Sequence, residues 1–187
     1  MLNLWKYAFL AILLLACEDP FTWKPCNTPL ERLEPYPVSV DTMCSMREKE
    51  VALDAIDNIN EMANSLVCQP ILKFAGYTEI DHTSIELPGN GELVCYREEP
   101  AWFKGTIFEP KLGWGRYTKW VRLFLFKDLT MPENLLLAIT THELLHYIGL
   151  DHSKNSSALM YPYTDGLTTT PRKSDGKLFC DVYNCVD

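Results

Sequence analysis

Two stretches of the chain place apolar residues at helical spacing. In the first, Ala52, Ala55, Ile56, Ile59, Met62, Ala63 and Leu66 fall on one face, which predicts an amphipathic helix from Met46 to Val67. Ser45 and Glu48 form a capping-box pattern at its start, each side chain closing a backbone N–H that the first turn leaves open. The second runs from Met131 to Ile148, where Leu135, Leu136, Leu137, Ala138 and Ile139 make nearly every face apolar. Such a helix belongs at the centre of a domain. Thr130 and Glu133 repeat the capping pattern before it, and Gly149 is placed to end it. A shorter helix is expected from Pro171 to Tyr183.

Between the helices the period changes. Ile71 to Tyr77, Glu92 to Arg97 and Trp120 to Phe126 read as strands, with a turn at Pro88-Gly89-Asn90-Gly91. Leu112-Gly113-Trp114-Gly115-Arg116-Tyr117 is a glycine-rich candidate edge strand. Strands and helices do not alternate regularly, so the class is α+β. At 187 residues one domain is the default. A formal net charge of -8 gives no basic surface for nucleic acid.

Lys6 precedes an apolar run from Tyr7 to Ala16. The run is too short for a bilayer core, which takes about 20 residues, and suits an export signal. It ends in Leu14-Leu15-Ala16-Cys17, which resembles the lipobox of bacterial lipoproteins. That resemblance implies a signal peptide over 1–16 and a lipid-bearing Cys17 at the mature terminus. Residues 17–44 contain Pro20, Pro25, Pro29, Pro35 and Pro37 and read as an extended tether. The domain proper is then expected over 45–187. Seven cysteines is an odd number for an exported chain. With Cys17 lipidated, Cys26, Cys44, Cys68, Cys95, Cys180 and Cys185 can all pair in an oxidising compartment. The expectation is a monomer anchored to a bacterial membrane through Cys17, otherwise secreted.

The chemistry is concentrated in His142-Glu143-Leu144-Leu145-His146-Tyr147-Ile148-Gly149-Leu150-Asp151-His152, which holds three of the chain's four histidines. His142 and His146 project from one helical face. Gly149 accepts a positive φ, so the chain can turn back and bring His152 to the same ion. Three imidazoles leave one tetrahedral position of a zinc ion for water, the open arrangement of a catalytic site. In this pattern Glu143 is the general base that activates the metal-bound water. Asp165 or Asp175 could serve as a third ligand in a related arrangement, but His152 makes them unnecessary. No glutamate follows Glu143, which excludes a glutamate third ligand farther along.

The string His-Glu-x-x-His-x-x-Gly-x-x-His resembles the metzincin clan of zinc endopeptidases. His152-Ser153 and Ala158-Leu159-Met160-Tyr161-Pro162 are most similar to its matrixin branch. The resemblance is specific over Thr140 to Pro162. It implies a zincin domain with a small twisted mixed sheet, a central active-site helix, a methionine-containing turn at Met160 and a C-terminal helix. It further implies peptide-bond hydrolysis with one catalytic zinc and a peptide or protein substrate. Residues after Met160, Pro162 and Tyr163 among them, would wall the substrate pocket, and the segment carrying Leu112 and Trp114 would pair with an extended substrate. The Pro-x-Tyr of matrixins is shifted here to Pro162-Tyr163-Thr164. Lys24-Pro25-Cys26-Asn27 faintly resembles the latency cysteine of matrixins, yet six pairable cysteines favour a disulfide for Cys26. The alternative is a catalytically inactive, zinc-containing binding lipoprotein, against which Glu143 stands.

Overall fold

The computed structural model describes residues 34–83, 91–99, 113–116, 119–125, 130–163 and 166–185, the side chains of residues 114 and 116 excepted. The expected signal peptide over 1–16, Cys17, Cys26 and Leu112 lie outside the described residues. Five strands are present among the described residues: β1 (Tyr36–Asp41), β2 (Leu72–Thr78), β3 (Glu92–Tyr96), β4 (Gly113–Arg116) and β5 (Trp120–Phe124). Three helices join them: α1 (Met46–Val67), α2 (Glu133–Tyr147) and α3 (Lys173–Tyr183).

The strands form one sheet in the order β2-β1-β3-β5-β4. β1 runs parallel to β2 and β3, and β3 runs parallel to β5. Among the described strands β4 alone is antiparallel, against β5, and lies at the edge. The sheet is therefore mixed, as expected. β1 corrects the reading of 17–44 as a tether. Its residues 36–41 lie inside the sheet, and Val38 and Val40 are core residues. The prolines masked an alternating pattern. Pro37 pairs only with β2, because β3 joins β1 first at Ser39. Its missing N–H therefore falls outside the described pairing of β1 with β3.

α1 has the boundaries the pattern predicts, and the capping box is present: the Ser45 N–H donates to Glu48 Oε2 at 2.6 Å. Its apolar stripe packs against α2 and the sheet. Each large side chain on it, such as Ile59 or Met62, gains about 1.5–3 kcal/mol by leaving water. Asn60 clamps α1 to β2: its Oδ1 accepts from the Ile71 and Leu72 N–H groups, and its Nδ2 donates to the Leu72 carbonyl. α2 begins later than its pattern suggested. Pro132 is its N-cap, with no side-chain cap bond. The expected Thr130–Glu133 box does not form, because the helix enters through Pro132 and Thr130 lies two residues before the cap.

Two disulfides are fully described. Cys44–Cys95 ties the β1–α1 junction to β3, and Cys180–Cys185 closes the end of α3. Cys68 is also disulfide-bonded. His82, which reads in sequence as an isolated loop residue, lies 2.7 Å from the fully buried Asp41 carboxylate and edge-on to the Tyr96 ring.

Candidate active site

α2 is buried along most of its length, and its C-terminal half carries His142, Glu143 and His146. The helix ends at Gly149, whose φ of +96° only a residue without a Cβ adopts freely. The Leu150 N–H donates to the Leu145 carbonyl and the Gly149 N–H to the His146 carbonyl, both at 3.0 Å. That pair of bonds is a Schellman closure. It reverses the chain and brings His152 back over the helix. The three rings meet with centroids 4.8, 5.3 and 4.6 Å apart.

Main-chain carbonyls orient the first two rings. His142 Nδ1 lies 2.7 Å from the Leu159 carbonyl, and His146 Nδ1 lies 2.7 Å from the Leu150 carbonyl. A proton on each Nδ1 leaves Nε2 as a lone-pair donor, the form that binds a metal. His146 Nε2 and His152 Nε2 are 3.1 Å apart. Two ligands of one tetrahedral zinc lie about 3.3 Å apart, from bond lengths near 2.0–2.1 Å. One donor atom from each of the three histidines fits within 4.8 Å of the others. The donor set therefore suits zinc. A second grouping, Cys44, Glu48 and Cys95, is closed to metal by its own disulfide.

Met160 is fully buried in the turn beyond the third histidine. Its carbonyl accepts from the Ser153 N–H at 2.8 Å, which pins the turn to the His152 segment. Behind it stands Asp175, on the first turn of α3 and fully buried. Its carboxylate accepts from the N–H groups of Leu159 at 3.0 Å, Met160 at 2.9 Å and Arg172 at 2.7 Å. Burial pushes the Asp175 carboxyl above its usual range, and these backbone donors hold it partly back. The peptide group between Leu159 and Met160 thus joins Asp175 on its N–H side to His142 on its carbonyl side. Such chains polarise one another. Sequence reasoning weighed Asp175 only as an alternative ligand. The structure makes it an anchor of the methionine turn, and only a long-range contact reveals that role.

Glu143 is buried beside His142, and its Oε2 accepts from the Gly115 N–H of β4 at 2.5 Å. Pro162 and Tyr163 lie exposed after the methionine turn, with Tyr163 in ring contact with Tyr161. The loop returns to α2 at Gly166, whose carbonyl accepts from Asn134 Nδ2. Trp114 sits in β4, the antiparallel edge strand.

The sequence profile of the family described as Matrixin matches residues 73–183, more than half of the chain. The chain belongs to the matrixin family. That family is one of zinc metallopeptidases, and the chain brings to it the three-histidine cluster that can hold the ion. A curated matrixin-like relative, karilysin of Tannerella forsythia, is 40% identical over 48 residues, which is 26% of this chain. The match spans only 10% of karilysin's own length. Among solved structures, archaemetzincin from Methanopyrus kandleri superposes with a TM-score of 0.52 at 12% identity. It covers 80% of this chain and 96% of its own, a likeness of metzincin fold.

Proposed function

We propose that this matrixin is a zinc-dependent endopeptidase in which His142, His146 and His152 hold the metal and Glu143 is the general base. The observation that carries the reading is the convergence of three oriented imidazoles beside one buried carboxylate. When bound, zinc would polarise the scissile carbonyl and acidify a neighbouring water.

The chain's own residues supply the rest. Glu143, whose Oε2 accepts from the Gly115 N–H, takes a proton from the attacking water and returns it to the leaving amine. The Leu159 and Leu150 carbonyls hold the ligand rings in the tautomer the ion requires. β4, the terminal strand among the described residues, offers a main-chain edge on which an extended peptide can pair. Pro162 and Tyr163, exposed beyond the methionine turn, are placed to contact its side chains.

Metal analysis and peptide cleavage test this together. The purified protein should bind one zinc per chain and hydrolyse members of a mixed peptide library, with chelator abolishing and zinc restoring activity. His152→Ala should bind zinc far more weakly. Undiminished zinc affinity in that variant refutes the ligand set. Tight zinc binding with no cleavage of any peptide would instead leave a zinc-containing binding protein. We further propose export and lipid anchoring at Cys17, on the strength of the Leu14–Cys17 string and the odd cysteine count. Mass spectrometry of the mature amino terminus in a bacterial host decides it, and an unmodified terminus at Cys17 or beyond refutes it.

A further inference from the structure

The edge strand carries two glycines, Gly113 and Gly115, and both face Glu143. A Cβ on Gly115 would overlap the Glu143 carbonyl oxygen and lie 2.9 Å from the His146 Cβ. A Cβ on Gly113 would lie 2.7 Å from the Glu143 Cγ and 3.0 Å from its Oε1. The requirement at both positions is one of space: the strand runs against the helix more closely than any side chain permits.

We propose that Gly115 is a positioning residue for Glu143. Its backbone N–H fixes one carboxylate oxygen, and its lack of a side chain lets the strand come near enough to do so. The proposal deepens the peptidase reading and rests on it.

The ladder of β4 with β5 gives this contact a second meaning. In an antiparallel pair, opposed residues alternate between bonding each other and directing their main-chain groups away. Gly115 stands opposite Val121 and sends its N–H to Glu143. It therefore occupies a position directed away from β5. Gly113, two residues along and opposite Leu123, shares that orientation. A peptide pairing along the outer edge of β4 would meet both main-chain groups of Gly113 but only the carbonyl of Gly115. The Gly115 N–H is already committed to the base. One strand thus orients Glu143 and sets where along the edge a peptide begins to pair.

Amide hydrogen exchange tests the contact directly, on the full chain loaded with zinc. The Gly115 N–H should be protected in the wild type, and Glu143→Ala should speed its exchange by about tenfold or more, since the bond that shields it is gone. An unprotected Gly115 amide, or one that Glu143→Ala leaves unchanged, overturns the proposal. This arm needs no catalytic activity, so it can fail or succeed independently of the peptidase reading. Steady-state kinetics supply the second arm. Gly115→Ala should lower kcat about 10–10²-fold, the scale of a lost hydrogen bond to a charged group. KM should stay within about twofold, because the loss falls on the base and not on peptide binding. A rise in KM with kcat unchanged would make the glycines a peptide-pairing feature alone and overturn the positioning role. Should Gly115→Ala fail to fold, Gly113→Ala takes its place, because the added methyl there meets the flexible Glu143 side chain and displaces its carboxylate.

Discussion

The two halves of the site are built from different materials. The lower half comprises α2, the Gly149 reversal and the methionine turn. It contributes side chains, three imidazoles and a carboxylate, and fixes the first two rings with backbone carbonyls from the same short run of chain. The upper half is β4. It contributes the Gly115 N–H, brought close by the absence of side chains at Gly113 and Gly115. On the proposed reading, catalytic identity resides below and placement above. Each half depends on something far away in sequence: the lower half on Asp175 from α3, the upper half on the sheet that carries β4.

The largest expected effect removes the chemistry of the lower half and leaves its frame. Glu143→Ala should reduce peptide hydrolysis about 10²–10⁴-fold, with zinc content and melting temperature nearly unchanged. Substantial hydrolysis by the zinc-loaded variant would assign the base elsewhere, and the division of labour between the halves would fall.

Next come the disulfides, one tied to each half. Cys44–Cys95 braces the sheet across a separation of 51 residues, while Cys180–Cys185 spans 5 within the α3 region. On chain-entropy grounds their loss costs about 4 and about 2 kcal/mol respectively. Denaturant melts of Cys44→Ser and Cys185→Ser should rank in that order. The reverse order would mean that the short bridge supports the Asp175 region beyond its entropy.

Asp175→Ala strikes the support of the lower half alone. It leaves three backbone donors without their acceptor, and about 3 kcal/mol of stability should go with it. The Leu159 carbonyl then orients His142 less firmly, so zinc affinity should fall about 10–100-fold. Competition with a chelator measures it. Unchanged affinity alongside lost stability would confine Asp175 to the core.

The smallest effect belongs to Tyr147, on the face of α2 turned toward β1. Its hydroxyl donates to the Pro37 carbonyl at 2.8 Å, so Tyr147→Phe should cost about 1 kcal/mol. Burial, then the charge of Glu92 and the neighbouring Tyr36, push the phenol from 10.0 up to about 12. The fold thus favours the neutral phenol. Its contribution is complete below pH 10.0 and is lost as the pH rises through about 12. Tyr147→Phe should blunt the alkaline fall in melting temperature over that window, with little change in zinc affinity.

These contrasts explain what a reading of the sequence can reach. The α1 boundaries are legible because capping box and apolar stripe are both local signals. His142, Glu143, His146, Gly149 and His152 are legible because their geometry is that of one helix and one turn. β1 is not, since Pro35 and Pro37 obscure the alternation of Val38 and Val40, and only pairing with β2 and β3 makes it a strand. The start of α2 is misread because Thr130 and Glu133 fit a pattern that Pro132 pre-empts. Asp175 and Gly115 act through contacts 15 and 28 residues away. Gly115 is recognisable beforehand as part of an edge strand, but its role as a donor to Glu143 arises only when strand and helix are packed.

The anchoring of the methionine turn by α3 also orders events in time. A chain is made from its amino terminus, and domains assemble as units once their parts have emerged. The histidine run is complete at His152, but the amides of Leu159 and Met160 find their acceptor only when Asp175 has followed. A nascent chain stopped before α3 would carry every imidazole and still lack the brace that sets His142. On the proposed reading, the three-histidine cluster is fully braced only once α3 has been made.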